Sequence, residues 1–179
     1  QVLFVQTKDS CKYLDKAIGM MADVILNPTF PDEELDRSRE QRLASILQRK
    51  SNANALAGTQ FSKAIYGNHP YGQPSEGTEV SIKDLKRDAM AQFHKDYFVP
   101  NNSFIVAVGD ISPKRMKELV KQYFAGWKKG TVTQTAFPEI KDVSQTKIQV
   151  VDRPGAVQSA ILIGHVGIER NNPDFIPLG

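Results

Sequence analysis

"SFIVAVGDISPKRMKELVKQYFAGW", Ser103 to Trp127, decides the class of the fold. Residues 103–109 are mostly apolar, rich in β-formers and of strand length, the pattern of a buried strand. Ser112 then stands where a helix N-cap is needed and Pro113 fits the first turn. Met116, Leu119, Val120, Tyr123, Phe124 and Trp127 follow at three- and four-residue steps and form one apolar face. A strand leading into an amphipathic helix predicts a sheet with helices packed on it.

The same two signals recur on either side. "VLFVQT" at 2–7, "KIQVVD" at 147–152 and "AVQSAILIGHV" at 156–166 read as further strands, the last two joined at Arg153-Pro154-Gly155. Leu14, Ala17, Ile18, Met21, Val24 and Ile25 mark a helix that Asn27-Pro28 ends. "TFPDEELDRSREQRLASILQRK", Thr29 to Lys50, is a second helix. Pro31 suits its first turn, and Asp32, Glu33 and Glu34 favour the positive end of its dipole. A third helix is expected over about 52–66. "YGNHPYGQPSEGTEVS" at 66–81 is a turn-rich loop. Ser81 to Asp84 fits a capping box that opens a fourth helix, running to about Tyr97 with Leu85, Ala89 and Phe93 on one side. The polar stretch after Trp127 reads as a linker. The resulting order predicts an α+β or α/β architecture with helices covering one face of a sheet.

With 179 residues the chain holds one domain, or one and part of another, and can bury a core without staples. Its net charge of +3 is spread along the sequence rather than gathered into a basic stripe, which argues against nucleic acid. No apolar run reaches the roughly 18 residues of a membrane span. A single cysteine, Cys11, makes no internal disulfide and leaves the compartment open. Gln1 to Val5 lack a charged n-region and begin without Met, so the chain reads as part of a longer product.

Spacing alone supplies no catalytic constellation. His69, His94 and His165 lie at no three- or four-residue spacing from another histidine or glutamate on one helix face, whereas zinc sites often pair two ligands on one turn. His69 reads as a loop residue holding a turn, His94 as a partly exposed helical residue and His165 as a core or edge residue. Cys11 lacks a local activating partner, and Ser159 lacks the glycine spacing of a nucleophile elbow. Asp32, Glu33, Glu34 and Asp36 read as a solvated helix start.

Four stretches in order resemble the M16 metallopeptidases, the family of pitrilysin, insulinase and mitochondrial processing peptidase. They are "LDKAIGMMADVILNPTFPDEELDRSR", "YGNHPYGQPSEGTEVSIKDL", "FHKDYFVPNNSFIVAVGDIS" and "VVDRPGAVQSAILIGHVG". The resemblance implies an α+β sandwich of the LuxS/M16 metallopeptidase type, its helices packed on one face of a mixed, mainly antiparallel sheet. Residues 1–128 would be the C-terminal part of one lobe, 129–143 a linker and 144–179 the start of a second lobe. The family's zinc site combines an H-x-x-E-H segment, expected upstream of Gln1, with a distant glutamate on the helix that opens "EEL-x-R-x-R". Active members resemble E-R-E-R-G-V-V-L-E-E there. Registered on Arg37 and Arg39, the two glutamate positions fall on Ser38 and Ser45, and Ser45 replaces the ligand. A serine hydroxyl is a poor, neutral zinc ligand. Glu40 follows Arg39 directly and is turned about 100° away from it on a helix.

The resemblance therefore implies a non-catalytic module, with no catalytic residue and no metal ligand of its own. Its zinc would sit in a catalytic M16 half, fused or separate, and together the halves would enclose peptide substrates. Two alternatives stay open: a fragment of an active zinc endopeptidase whose H-x-x-E-H lies upstream, and a structural or assembly protein of the family without proteolysis.

Overall fold

The computed structural model of the chain describes residues 13–140 and 144–177. Six α-helices follow in order: α1 (Leu14–Leu26), α2 (Asp32–Lys50), α3 (Ala53–Tyr66), α4 (Glu79–Asp84), α5 (Arg87–Tyr97) and α6 (Pro113–Phe124). Short 3-10 turns occupy Pro70–Gly72 and Pro100–Asn102. The described residues form two compact units. One contains residues up to Leu35 together with Leu85–Gln134; the other contains Asp36–Asp84 and residues from Thr135 onward.

The first unit is built on α1 against α6. Ile18 and Ala22 of α1 meet Leu119 and Phe124 of α6, and Leu14, Met21, Ile25, Met116 and Val120 surround them. Leu119 is completely buried. The apolar steps in both helices thus define this core, except that Val24 faces solvent. Ser112 caps α6 as expected, its Oγ accepting from the Arg115 N–H, with Pro113 in the first turn. Across the packed pair, the Tyr123 hydroxyl donates to Asp15 Oδ1, and Arg115 approaches Asp15 Oδ2 at 3.4 Å. The Trp127 indole N–H donates to the Phe98 carbonyl at 3.0 Å and pins the end of α6 near the end of α5.

The expected α+β sheet is not found: among the described residues there is no strand. Segment 2–7 lies outside them. Segments 103–109, 147–152 and 156–166 run without ladder partners, and their apolar side chains stand in solvent, Val108 at 95% exposure and Ile163 at 93%. The reason is the non-local nature of β-structure. A helix closes its hydrogen bonds within four residues, whereas a strand exists only where another segment supplies donors and acceptors alongside it. Apolar, β-branched composition makes a segment suitable for a sheet but does not bring a neighbour to it.

The fourth helix is also two helices. Ser81 does not open it with Asp84. Thr78 is the cap: its Oγ1 accepts from the Ser81 N–H at 3.1 Å and Ser81 Oγ accepts from the Thr78 N–H at 2.8 Å. This reciprocal pair starts α4 two residues before Ser81, and extended backbone at Lys86 then separates α4 from α5. Beyond that break, the Arg87 guanidinium donates to the Thr29 and Phe30 carbonyls at 3.1 and 2.9 Å. It thereby braces the α1–α2 turn where Phe30 adopts φ +46°.

Candidate functional site

The helix with the substituted glutamate positions, α2, is continuous over 19 residues and buries none of them. Its opening acids and closing Arg49 and Lys50 both suit the helix dipole. Ser38 and Ser45 are seven residues apart, which places them within about 20° of each other around the axis. Both are exposed. Glu40 is exposed and lies about 200° around the helix from Ser38.

Arg39, which set the register, is held by structure. Its Nε donates to the Ile82 carbonyl at 3.3 Å, and its guanidinium pairs with Asp36. Farther along, Arg49 pairs with Glu76 and Lys50 with Glu79. These contacts lay the 76–82 segment along α2. Beneath it lies a groove of about 370 Å³, lined by Ile46, Ala55, Leu56, Pro74 and Val80. The Lys50 ammonium, by hydrogen bond and then by charge, holds the Glu79 carboxyl below its ordinary 4.5.

The histidines serve structure in three different settings. His69 is buried, and its Nδ1 accepts from the Tyr71 N–H at 3.1 Å, capping the Pro70–Gly72 turn. That acceptor role puts the proton of the neutral ring on Nε2. Tyr66, Tyr71 and Phe137 surround the ring, with centroids 4.8–6.2 Å away. The expected turn-holding role is thus observed, with a burial that loop composition did not foretell. His94 on α5 is partly exposed, as expected. Its Nε2 lies 2.8 Å from the Ile25 carbonyl, and its ring stacks on Phe98. His165 is exposed rather than in a core or at a strand edge. Ser159 is exposed, and Cys11 lies outside the described residues. Among the described residues no group of three His, Cys, Asp or Glu side chains is arranged to hold a metal ion. Nor is any helix among them long and apolar enough to cross a membrane.

Comparison with known proteins gives this geometry its family. Residues 84–179 match the family model described as the peptidase M16 inactive domain, and residues 2–79 match that of insulinase, peptidase family M16. The chain belongs to peptidase family M16. It is 26% identical over 158 residues to the uncharacterized zinc protease YmxG of Bacillus subtilis, covering 88% of this chain and 37% of that protein. It is 24% identical to the non-peptidase homolog YmxG of Helicobacter pylori, covering 79% of this chain and 33% of that one. Subunit 1 of the bovine mitochondrial cytochrome b-c1 complex is 20% identical over 92% of this chain and 33% of the subunit. The backbone is similar to the M16 inactive domain from Pseudomonas fluorescens, with TM-score 0.64 and 30% identity over 70% of this chain and 30% of that one. The chain therefore spans about a third of the length of these relatives.

Proposed function

We propose that this chain is a non-catalytic M16 module that pairs with a zinc-bearing half and helps to enclose and bind peptide substrates. The observation that carries the reading is α2: a continuous, exposed helix with serine at both positions where an active relative would place glutamate. A hydroxyl at Ser45 offers zinc neither the charge nor the basicity of a carboxylate. The match of residues 84–179 to the inactive domain supports the same reading. In this proposal residues 1–128 close one lobe, 129–143 connect and 144–179 begin the next. Zinc and its activated water belong to the catalytic half, where the metal supplies the nucleophile for peptide hydrolysis.

A second reading has its own support. Residues 2–79 match the insulinase model, and the B. subtilis relative is named a zinc protease. The chain would then be part of an active endopeptidase with its H-x-x-E-H segment elsewhere in the polypeptide. The bovine relative, a respiratory-complex subunit by name, favours a third reading as an assembly protein.

Zinc per chain, measured on the natural-length gene product purified without added metal and again on residues 1–179, separates these readings. The proposal expects none in residues 1–179 and peptide cleavage only when a zinc-bearing M16 half is supplied. Tightly held stoichiometric zinc in residues 1–179 would overturn it. Absence of zinc and of cleavage in every combination would favour the assembly role.

A further inference from the structure

Along α6 runs an open apolar trough of about 890 Å³, wholly within the first unit. Its walls are Phe104, Ile105 and Ala107 of the extended segment and Met116, Val120 and Phe124 of the helix, with Trp127 at one end. Two charged side chains line it, Lys117 and Lys121, one helical turn apart, and the lining contains no carboxylate. Among the described residues neither lysine has an ion pair. The neighbouring Glu118 is engaged instead by Arg115 at 3.4 Å.

The trough combines a large apolar area with a rim of one charge sign. A purely apolar occupant would leave both ammonium groups unmatched, and a cationic one would be repelled. Its length also selects. The 12 residues of α6 rise about 1.5 Å each and give a trough about 18 Å long. An extended chain advancing about 3.3 Å per residue fills that with roughly five residues. Volumes of about 300–1,000 Å³ are usual for binding sites.

We infer that this trough binds an extended peptide segment of about five residues in which apolar side chains alternate with carboxylates. The apolar side chains occupy the floor between α6 and residues 104–107, and the carboxylates meet Lys117 and Lys121. The inference rests on the peptide-binding reading above and specifies one surface and one charge preference for it.

Trp127 is the single tryptophan of the chain and sits in the trough, so its emission reports occupancy directly. The test titrates residues 1–179 with acetyl-Leu-Glu-Leu-Glu-Leu-amide, its lysine counterpart and dodecanoate. The acidic peptide is expected to shift Trp127 emission and to bind about tenfold tighter than the basic one, as two surface ion pairs near the upper end of their usual strength would give. The double variant Lys117→Glu/Lys121→Glu, confined to solvent-facing side chains, should invert that preference. Equal binding of both peptides, or a preference unmoved by the double variant, would overturn the inference. Dodecanoate binding as tightly as the acidic peptide would overturn the peptide as occupant. If the charge preference is absent while the chain still supports cleavage by a zinc-bearing half, the trough assignment falls and the proposed function stands.

Discussion

Tyr123 on α6 donates its hydroxyl to Asp15 on α1, joining two helices 108 residues apart in sequence at the side of their shared core. The bond to a carboxylate raises the phenol above its ordinary value, with burial adding to the shift. A phenol raised on folding stabilises the folded chain fully below its unfolded value of about 10 and loses that contribution as pH rises toward the folded value. Unfolding midpoints should therefore fall above about pH 10 in the wild type. They should fall less in Tyr123→Phe, whose stability at neutral pH is already lower. Urea titrations of both proteins across that range check the sign.

Acid acts through the opposite case. Lys50 lowers the Glu79 carboxyl, so its contribution is present above 4.5 and is lost as pH falls through the lower folded value. Lys50→Met should flatten the acid limb of the stability profile and leave the alkaline limb unchanged. Both partners are substantially exposed, so added salt should also shrink the difference between the two proteins.

Leu119 is the one large side chain with no exposed surface. Leu119→Ala should cost about 2–5 kcal/mol, the loss of burial plus the cavity left behind. Val120→Ala, on the more open side of the same helix, should cost less. Equilibrium unfolding measures both.

Two glycines should respond with opposite signs. A Cβ on buried Gly72 would lie 2.5 Å from the Gly67 carbonyl oxygen, whereas one on Gly58, inside α3, meets nothing within 4 Å. Gly72→Ala should destabilise by about 1–3 kcal/mol through forced backbone displacement. Gly58→Ala should stabilise by about 1 kcal/mol through better helix propensity. Thermal unfolding of the pair provides an internally controlled comparison.

Restoring one carboxylate should not restore a metal site. A catalytic zinc needs three protein ligands, and no three-member group surrounds Ser45 among the described residues. Zinc bound to Ser45→Glu in residues 1–179 should stay below about a tenth of an equivalent after dialysis. The same substitution in the natural-length protein shows whether histidine ligands elsewhere await that carboxylate.

His69 separates what is local from what is tertiary. Its role as a turn-holding residue was legible in "NHPYG", because a side chain two residues before Tyr71 can accept from that N–H. Its burial was not legible, since Phe137, which helps to cover it, lies 68 positions away. Likewise the reciprocal Thr78–Ser81 pair is local, but the nearby Ser81–Asp84 spacing imitates a capping box and conceals it. The substitution at Ser45 shows in sequence only through a family register, because a serine on an exposed helix has no physical mark of its own.

By itself the sequence determined α1, α2, α3 and α6, the Ser112 cap and the apolar faces that meet at Leu119. Helices and caps close their hydrogen bonds within four residues, so composition and spacing contain the necessary information. Tertiary structure alone decided that residues 103–109 and 156–166 remain unpaired, that Arg87 braces the Phe30 turn and that a lysine-rimmed trough opens beside α6. Each of these depends on which distant segment lies alongside, a relation that local hydrophobic pattern does not encode.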